Sequence, residues 1–257
     1  MYLLEPVFFD IWQFEKLVLI VGVFIVAGFV KGVLGLGLPT ISLGLLTVFF
    51  GLKGAMVLMI VPSFTTNLWQ GIVGGRLAHL LKRFWLLFGL AVAAIWVSAR
   101  YLRVIDADYL AALLGLVTFL YGAIGLLTLK TLDVTQHETL LSPVVGVFNG
   151  FITGLTGSSV IPGTIYFQAL NMPRDELIQA MGILFSLSAV ALGVALVNEN
   201  LVSVDLGLAS IAGLVPAFLG MWLGLRVRRR ISHVQFRNAL FAGLGVLGIF
   251  ITIQAVT

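Results

Sequence analysis

Lys31 is the first residue that invites chemistry, because it is the one charge well inside a segment apolar enough to cross a bilayer, residues 14–34. An ionisable side chain at that depth marks a functional site by default. A lysine there can pair with an anionic solute, or shed its proton when desolvated and so tie transport to pH. A second reading stands beside these: Lys31 lies near enough to the cytoplasmic end of the span to snorkel outward as a topology anchor. It sits in GFVKGVLGLGLPTISLGLLTVFF, residues 28–50, where an apolar helix runs into a glycine-rich break and resumes. The stretch 150–170, GFITGLTGSSVIPGTIYFQAL, echoes it. At constant offset Gly28, Phe29, Gly32 and Gly35 fall on Gly150, Phe151, Gly154 and Gly157, and Lys31 falls on Thr153.

Two interrupted hydrophobic segments at matching places in two halves point to a transport site at the interface of the repeats. Backbone released from a helix in hydrocarbon survives only where protein buries it or a cavity solvates it. Glycine admits the positive φ such a break needs, and Pro39 and Pro162 suit the first turn of a restarting helix. Restarting helices near residues 40–42 and 158–164 present free N–H groups and a positive dipole end, which suits a small oxyanion. The glycines also fit plain small-residue helix packing. Ser63, Thr65, Thr66, Asn67 and Gln70 form a polar face on the next span, matched by Ser186 and Ser188; such residues serve as interhelical glue or line a cavity. The candidate substrate-binding set is therefore Lys31, Gly35, Gly37, Pro39, Thr40, Ser63, Thr66, Asn67, Thr153, Gly157, Ser158, Ser159 and Pro162.

The elements that must carry these residues follow from composition. With 60% hydrophobic and 10% charged residues among 257, against about 25% charged in a soluble globule, the chain is an all-α polytopic membrane protein. Spans of about 20 apolar residues are expected at 14–34, 55–74, 84–102 and 109–129, with a short piece at 40–50 and a turn at 51–54. The second half repeats the order: 143–156, a break at 157–159, a short piece ending at 170, and spans at 177–197, 204–223 and 234–252. The polar connection 129–142 divides a first transmembrane repeat, 1–130, from a second, 143–257, with 131–142 as the connecting loop. Trp12, Trp69, Trp85, Trp96 and Trp222 fall near span ends, as interfacial anchors do.

Charge decides between two arrangements of the halves. If the short pieces do not cross, the basic loop at 76–83 and the run Arg226, Arg228, Arg229, Arg230 lie on opposite faces, against the positive-inside rule. If each short piece returns across, both clusters share a face, the repeats are inverted, and the glycine-broken, re-entrant segments enter from opposite sides; this arrangement is preferred, with parallel repeats as the alternative. The acidic start, residues 1–16, lacks a basic n-region and cleavage site, so the first span is expected to remain. With no Asp or Glu in mid-span, a carboxylate proton relay is not expected. His79, His137 and His233 all fall in connections, there is no cysteine and no GxxxxGK[ST] loop, so an enzyme and a metal site are the weakest classes. The basic residues track topology, so no nucleic-acid partner is expected.

The segments GFVKGVLGLGLP, VPSFTTNLWQ and GFITGLTGSSVIPGTIYFQALNMPRDELIQAMGILFSLS resemble the sulfite exporter TauE/SafE family, also called the toluene-sulfonate uptake permease family. The resemblance covers nearly the whole chain and rests on the paired G-F-x-x-G-x-x-G elements. It implies a multi-pass transporter of the bacterial cytoplasmic membrane for sulfite or organosulfonates, with no cofactor. Its partners are then the small anion and the lipid bilayer, with a homodimer admissible. The family's glycine motif falls on Gly28, Gly32, Gly35, Gly37 and Pro39, and on Gly150, Gly154, Gly157 and Pro162. Leu36 and Leu38 interrupt the commoner polyglycine run, and Ser158 and Ser159 replace glycine in the second half. The other class in view is a membrane scaffold whose breaks serve packing alone.

Overall fold

The computed structural model describes residues 11–127 and 133–257, so the expectation for the acidic start, residues 1–10, and for the span end and loop at 128–132 lies outside the described residues. Among the described residues there is no strand, and eight helical segments are long and apolar enough to cross a membrane. The first, α1 (Phe14–Leu34), has the bounds expected from hydropathy. Next comes α2 (Leu38–Val73), 36 residues long and so well beyond one crossing of about 20. Gly51, at φ 67° and ψ 166°, divides it into a short piece and a full span. The expected four-residue turn thus shrinks to a kink at one glycine, since a single residue at positive φ suffices to interrupt the helix.

The basic loop at 76–83 is instead a short helix, α3 (Leu77–Arg83), leading into α4 (Trp85–Ala99) and its 3-10 extension Arg100–Arg103. Then follow α5 (Ala107–Leu127) and α6 (Glu138–Thr156). α6 begins five residues earlier than expected, with Pro143 inside it, because its start is clamped by side chains. Arg83 donates from Nε and Nη2 to the Glu138 carboxylate at 2.7 and 2.6 Å, and the Tyr166 hydroxyl donates to the Glu138 carbonyl at 3.2 Å. Tyr166 belongs to the seven-residue α7 (Gly163–Ala169), which precedes α8 (Arg174–Asn198). The expected span 204–223 is split into α9 (Val204–Ala212) and α10 (Leu214–Val227). Pro216 lacks the N–H that would bond the carbonyl of Ala212, the last residue of α9. The chain closes with α11 (His233–Val256).

The main packing partners are α1 with α10, α4 with α6, α5 with α11, and α2 with α8. The first two pairs explain the leading glycines of each motif. A Cβ on Gly28 or Gly32 would fall closer than 3.0 Å to the carbonyl oxygens of Ala217 and Met221 in α10, and one on Gly150 or Gly154 would do the same at Ala91 and Ile95 in α4. Between membrane helices, which gain little from the hydrophobic effect, this close backbone approach is a principal source of attraction. Pro62, inside α2, would leave the Leu58 carbonyl without its helical donor. Ser210 of α9 fills the gap, donating to Leu58 O at 2.8 Å and accepting from Val61 N at 3.2 Å. Gly150→Val is expected to cost about 1–3 kcal/mol by overpacking, read as a lowered unfolding midpoint in detergent. Gly89→Val, on α4 where nothing lies within 4 Å of an added Cβ, should leave that midpoint unchanged.

Candidate functional site

Both breaks start with the same local chemistry. Gly35 (φ 84°) ends α1 with its N–H bonded to Lys31 O at 2.7 Å, and Gly157 (φ 76°) ends α6 with its N–H on Thr153 O at 2.7 Å. The left-handed conformation that closes each last turn is open to glycine at no steric cost. After the first break Gly37 (φ 106°) precedes α2, with Pro39 in its first turn. After the second, Pro162 stands one residue ahead of α7 rather than within its first turn. The leading N–H groups of α7 are already engaged: Gly163 N bonds Asn149 Oδ1 at 3.0 Å and Thr164 N bonds Val160 O at 2.9 Å.

Between the breaks lies a cavity of about 20 Å³, room for about one water molecule. Its polar wall is Ser63 of α2, Thr153 of α6, Ser159 of the second break and Ser188 of α8; Pro39, Gly157, Met59 and Phe185 close it. The Ser188 hydroxyl is buried and has no hydrogen-bond partner. Thr153 Oγ1 donates toward Asn149 O at 2.6 Å and lies 3.2 Å from Ser159 Oγ. Lys31 is 4% exposed, so it does not snorkel outward: its Nζ donates to Asn67 Oδ1, and Asn67 Nδ2 donates in turn to Ser63 Oγ at 3.3 Å. None of the three ion pairs among the described residues involves Lys31. The result is a buried lysine amine tied through two successive hydrogen bonds to the wall of a polar cavity, with no ion-pair partner among the described residues.

Of the thirteen residues singled out in the sequence, Pro39, Ser63, Thr153, Gly157 and Ser159 line the cavity. Lys31 and Asn67 reach it through Ser63. Gly35 and Gly37 supply the turn. Thr40, Thr66 and Ser158 are buried but do not line it; Thr66 Oγ1 donates to Pro62 O at 2.8 Å within its own helix. Pro162 instead borders a second, larger hollow on the other side of the breaks, together with Leu36. The candidate binding set left out Asn149 and Ser188. Ser188 was visible as the α8 counterpart of the polar face on α2, whereas nothing in the spacing marked Asn149 as the acceptor for α7.

Eight apolar helical segments among the described residues, with glycine-capped breaks after α1 and α6 beside a small buried polar cavity, define a multi-pass membrane protein. Compared with known families, residues 20–251 match the sulfite exporter TauE/SafE family, and the chain belongs to that family, whose members are membrane transporters. No curated protein and no solved structure matches the chain. The resemblance carried by the two glycine elements is thereby borne out over nearly the full length. Asn67→Leu strands the Lys31 ammonium without its acceptor and is expected to destabilise the protein by about 2 kcal/mol or more, while Lys31→Met with Asn67→Leu removes both partners and recovers most of the loss. A double variant no more stable than Asn67→Leu alone, in thermal unfolding, contradicts this account of the pair.

Proposed function

We propose that this protein is a secondary transporter of small sulfur-containing anions, sulfite or an organosulfonate, which bind between the two breaks and cross by alternating access in the bacterial cytoplasmic membrane. The observation that carries the reading is the placement of the breaks themselves. Leu36 and Pro162 face the large hollow, while Pro39, Ser159 and Val160 face the small cavity, so the two break segments form a septum between them. A cavity of about 20 Å³ is too small for an oxyanion of several heavy atoms, so it corresponds to a closed state, and movement of the septum admits the solute. The hydroxyls of Ser63, Thr153, Ser159 and Ser188 then donate to the oxyanion, and the Lys31 charge, relayed through Asn67, favours an anion in a low-dielectric site.

The halves 1–130 and 143–257 act as inverted repeats in this reading. Partners are exchanged between halves, α1 of the first lying on α10 of the second and α6 of the second on α4 of the first, as any two-fold relation of the halves requires. The inversion itself is supported by the charges. Both basic clusters gather on one side. Arg76 pairs with Glu176 at 3.6 Å, next to Arg174, which shares the large hollow with Leu34 at the end of α1. Arg226 lies at the level of that same helix end, since Gly32 meets Met221 and Leu225. By the positive-inside rule that side, with the large hollow, is cytoplasmic.

The test is anion flux in proteoliposomes, comparing sulfite, a short organosulfonate, sulfate and chloride with and without a pH gradient. Saturable flux of the sulfur anions above protein-free vesicles is expected. Lys31→Ala and Ser159→Leu should each lower it by roughly tenfold or more, the equivalent of one lost charge-assisted contact. Folded protein that passes none of these anions, or a Lys31→Ala variant as fast as the parent, refutes the proposal.

A further inference from the structure

The large hollow has a chemistry of its own. It encloses about 1120 Å³, the size of pockets that hold organic ligands rather than single ions. Its floor is aromatic: Tyr121 of α5 and Phe241 of α11 are both buried and meet edge to face, centroids 5.3 Å apart at 85°. Ile124 and Leu34 extend the apolar wall. The charged groups along it carry one sign. Arg174 is the first residue of α8 and Arg237 lies in the second turn of α11, with His233 at the start of that helix, and no Asp or Glu is among the described lining residues. Neither arginine joins an ion pair among the described residues. Arg237 Nε is buried with no hydrogen-bond partner, a state that costs a guanidinium donor its desolvation unless an acceptor arrives.

An aromatic floor beneath unpaired arginines is made for a molecule with two ends. We propose that this hollow is a second binding site, for an organic anion with an apolar body: the acid group lies on Arg237 and Arg174, and the body lies along Tyr121, Phe241, Ile124 and Leu34. The guanidinium fork suits a carboxylate or sulfonate held by two parallel N–H bonds. A small inorganic anion would use the arginines and leave the aromatic floor wet. The site stands apart from the central cavity, across the septum; it rests on the transport reading only for its place along the path. The same chemistry has two sources, a water-soluble organic acid and the head and chain of an anionic lipid.

The test is calorimetric binding of benzoate and acetate to the full chain in phosphatidylcholine nanodiscs. The two anions share a head group and differ in the apolar body. Benzoate should bind at least about tenfold tighter than acetate. Arg237→Gln, or Arg174→Gln if the first variant does not fold, should weaken benzoate about tenfold, the loss expected when a charge-assisted bond goes. Lys31→Ala, beyond the septum, should leave it unchanged. Equal affinity for the two anions, no binding to folded protein, or loss in Lys31→Ala with none in the arginine variants overturns the proposal. Phosphatidylglycerol in the disc that weakens benzoate in the parent but not in Arg237→Gln identifies the occupant as lipid, and no such effect identifies a soluble acid. Benzoate binding retained in protein that passes no sulfur anion would sink the transport reading alone.

Discussion

Every backbone donor and acceptor freed inside hydrocarbon has to find a partner within the protein, and the architecture follows from how this chain meets that demand. The two breaks are held in part because several of their loose groups are collected locally. Gly35 and Gly157 turn back onto the carbonyls of Lys31 and Thr153, and Asn149 takes the Gly163 N–H. Where Pro62 removes a helical donor, Ser210 supplies one from a different helix. Interrupted helices are therefore held by neighbours rather than by their own ladders, and the neighbours can come this close only because the leading glycines bring α1 onto α10 and α6 onto α4. Packing, breaks and cavity are one dependency.

The charge in the middle is the functional side of that dependency. A lysine taken out of water without a carboxylate partner loses solvation that one amide oxygen restores in small part. Lys31 is held at Asn67, whose amide hydrogen bonds onward to Ser63 in the cavity wall. The structure thus keeps a buried lysine without a carboxylate partner next to the cavity wall; in the proposed transport cycle its protonated form favours a negative solute there without filling the cavity with a long side chain.

Much of this was legible in the residues. Hydropathy placed α1 closely, since a long mainly apolar run ending in glycine leaves little choice, and the repeated glycine spacing located both breaks. What stayed hidden depended on contacts distant in sequence. α6 starts early because Arg83 and Tyr166 hold Glu138, and polarity alone made that stretch look like loop. Glycines of two different roles shared one motif, with Gly28, Gly32, Gly150 and Gly154 packing and Gly35, Gly37 and Gly157 turning. Spacing cannot separate those roles, because a missing Cβ serves both. Lys31 likewise read as anchor or interior until its partner Asn67, on the next helix, was known.

The exchange of partners between halves has a consequence for how the chain is born. α4 is already made when α6 emerges, so the second half finds its docking surface waiting. α1 has no such luck: its glycine face meets α10 only after nearly the whole chain has left the ribosome. Until then the glycine face of α1 lacks its partner, and α5 waits until later still, for α11.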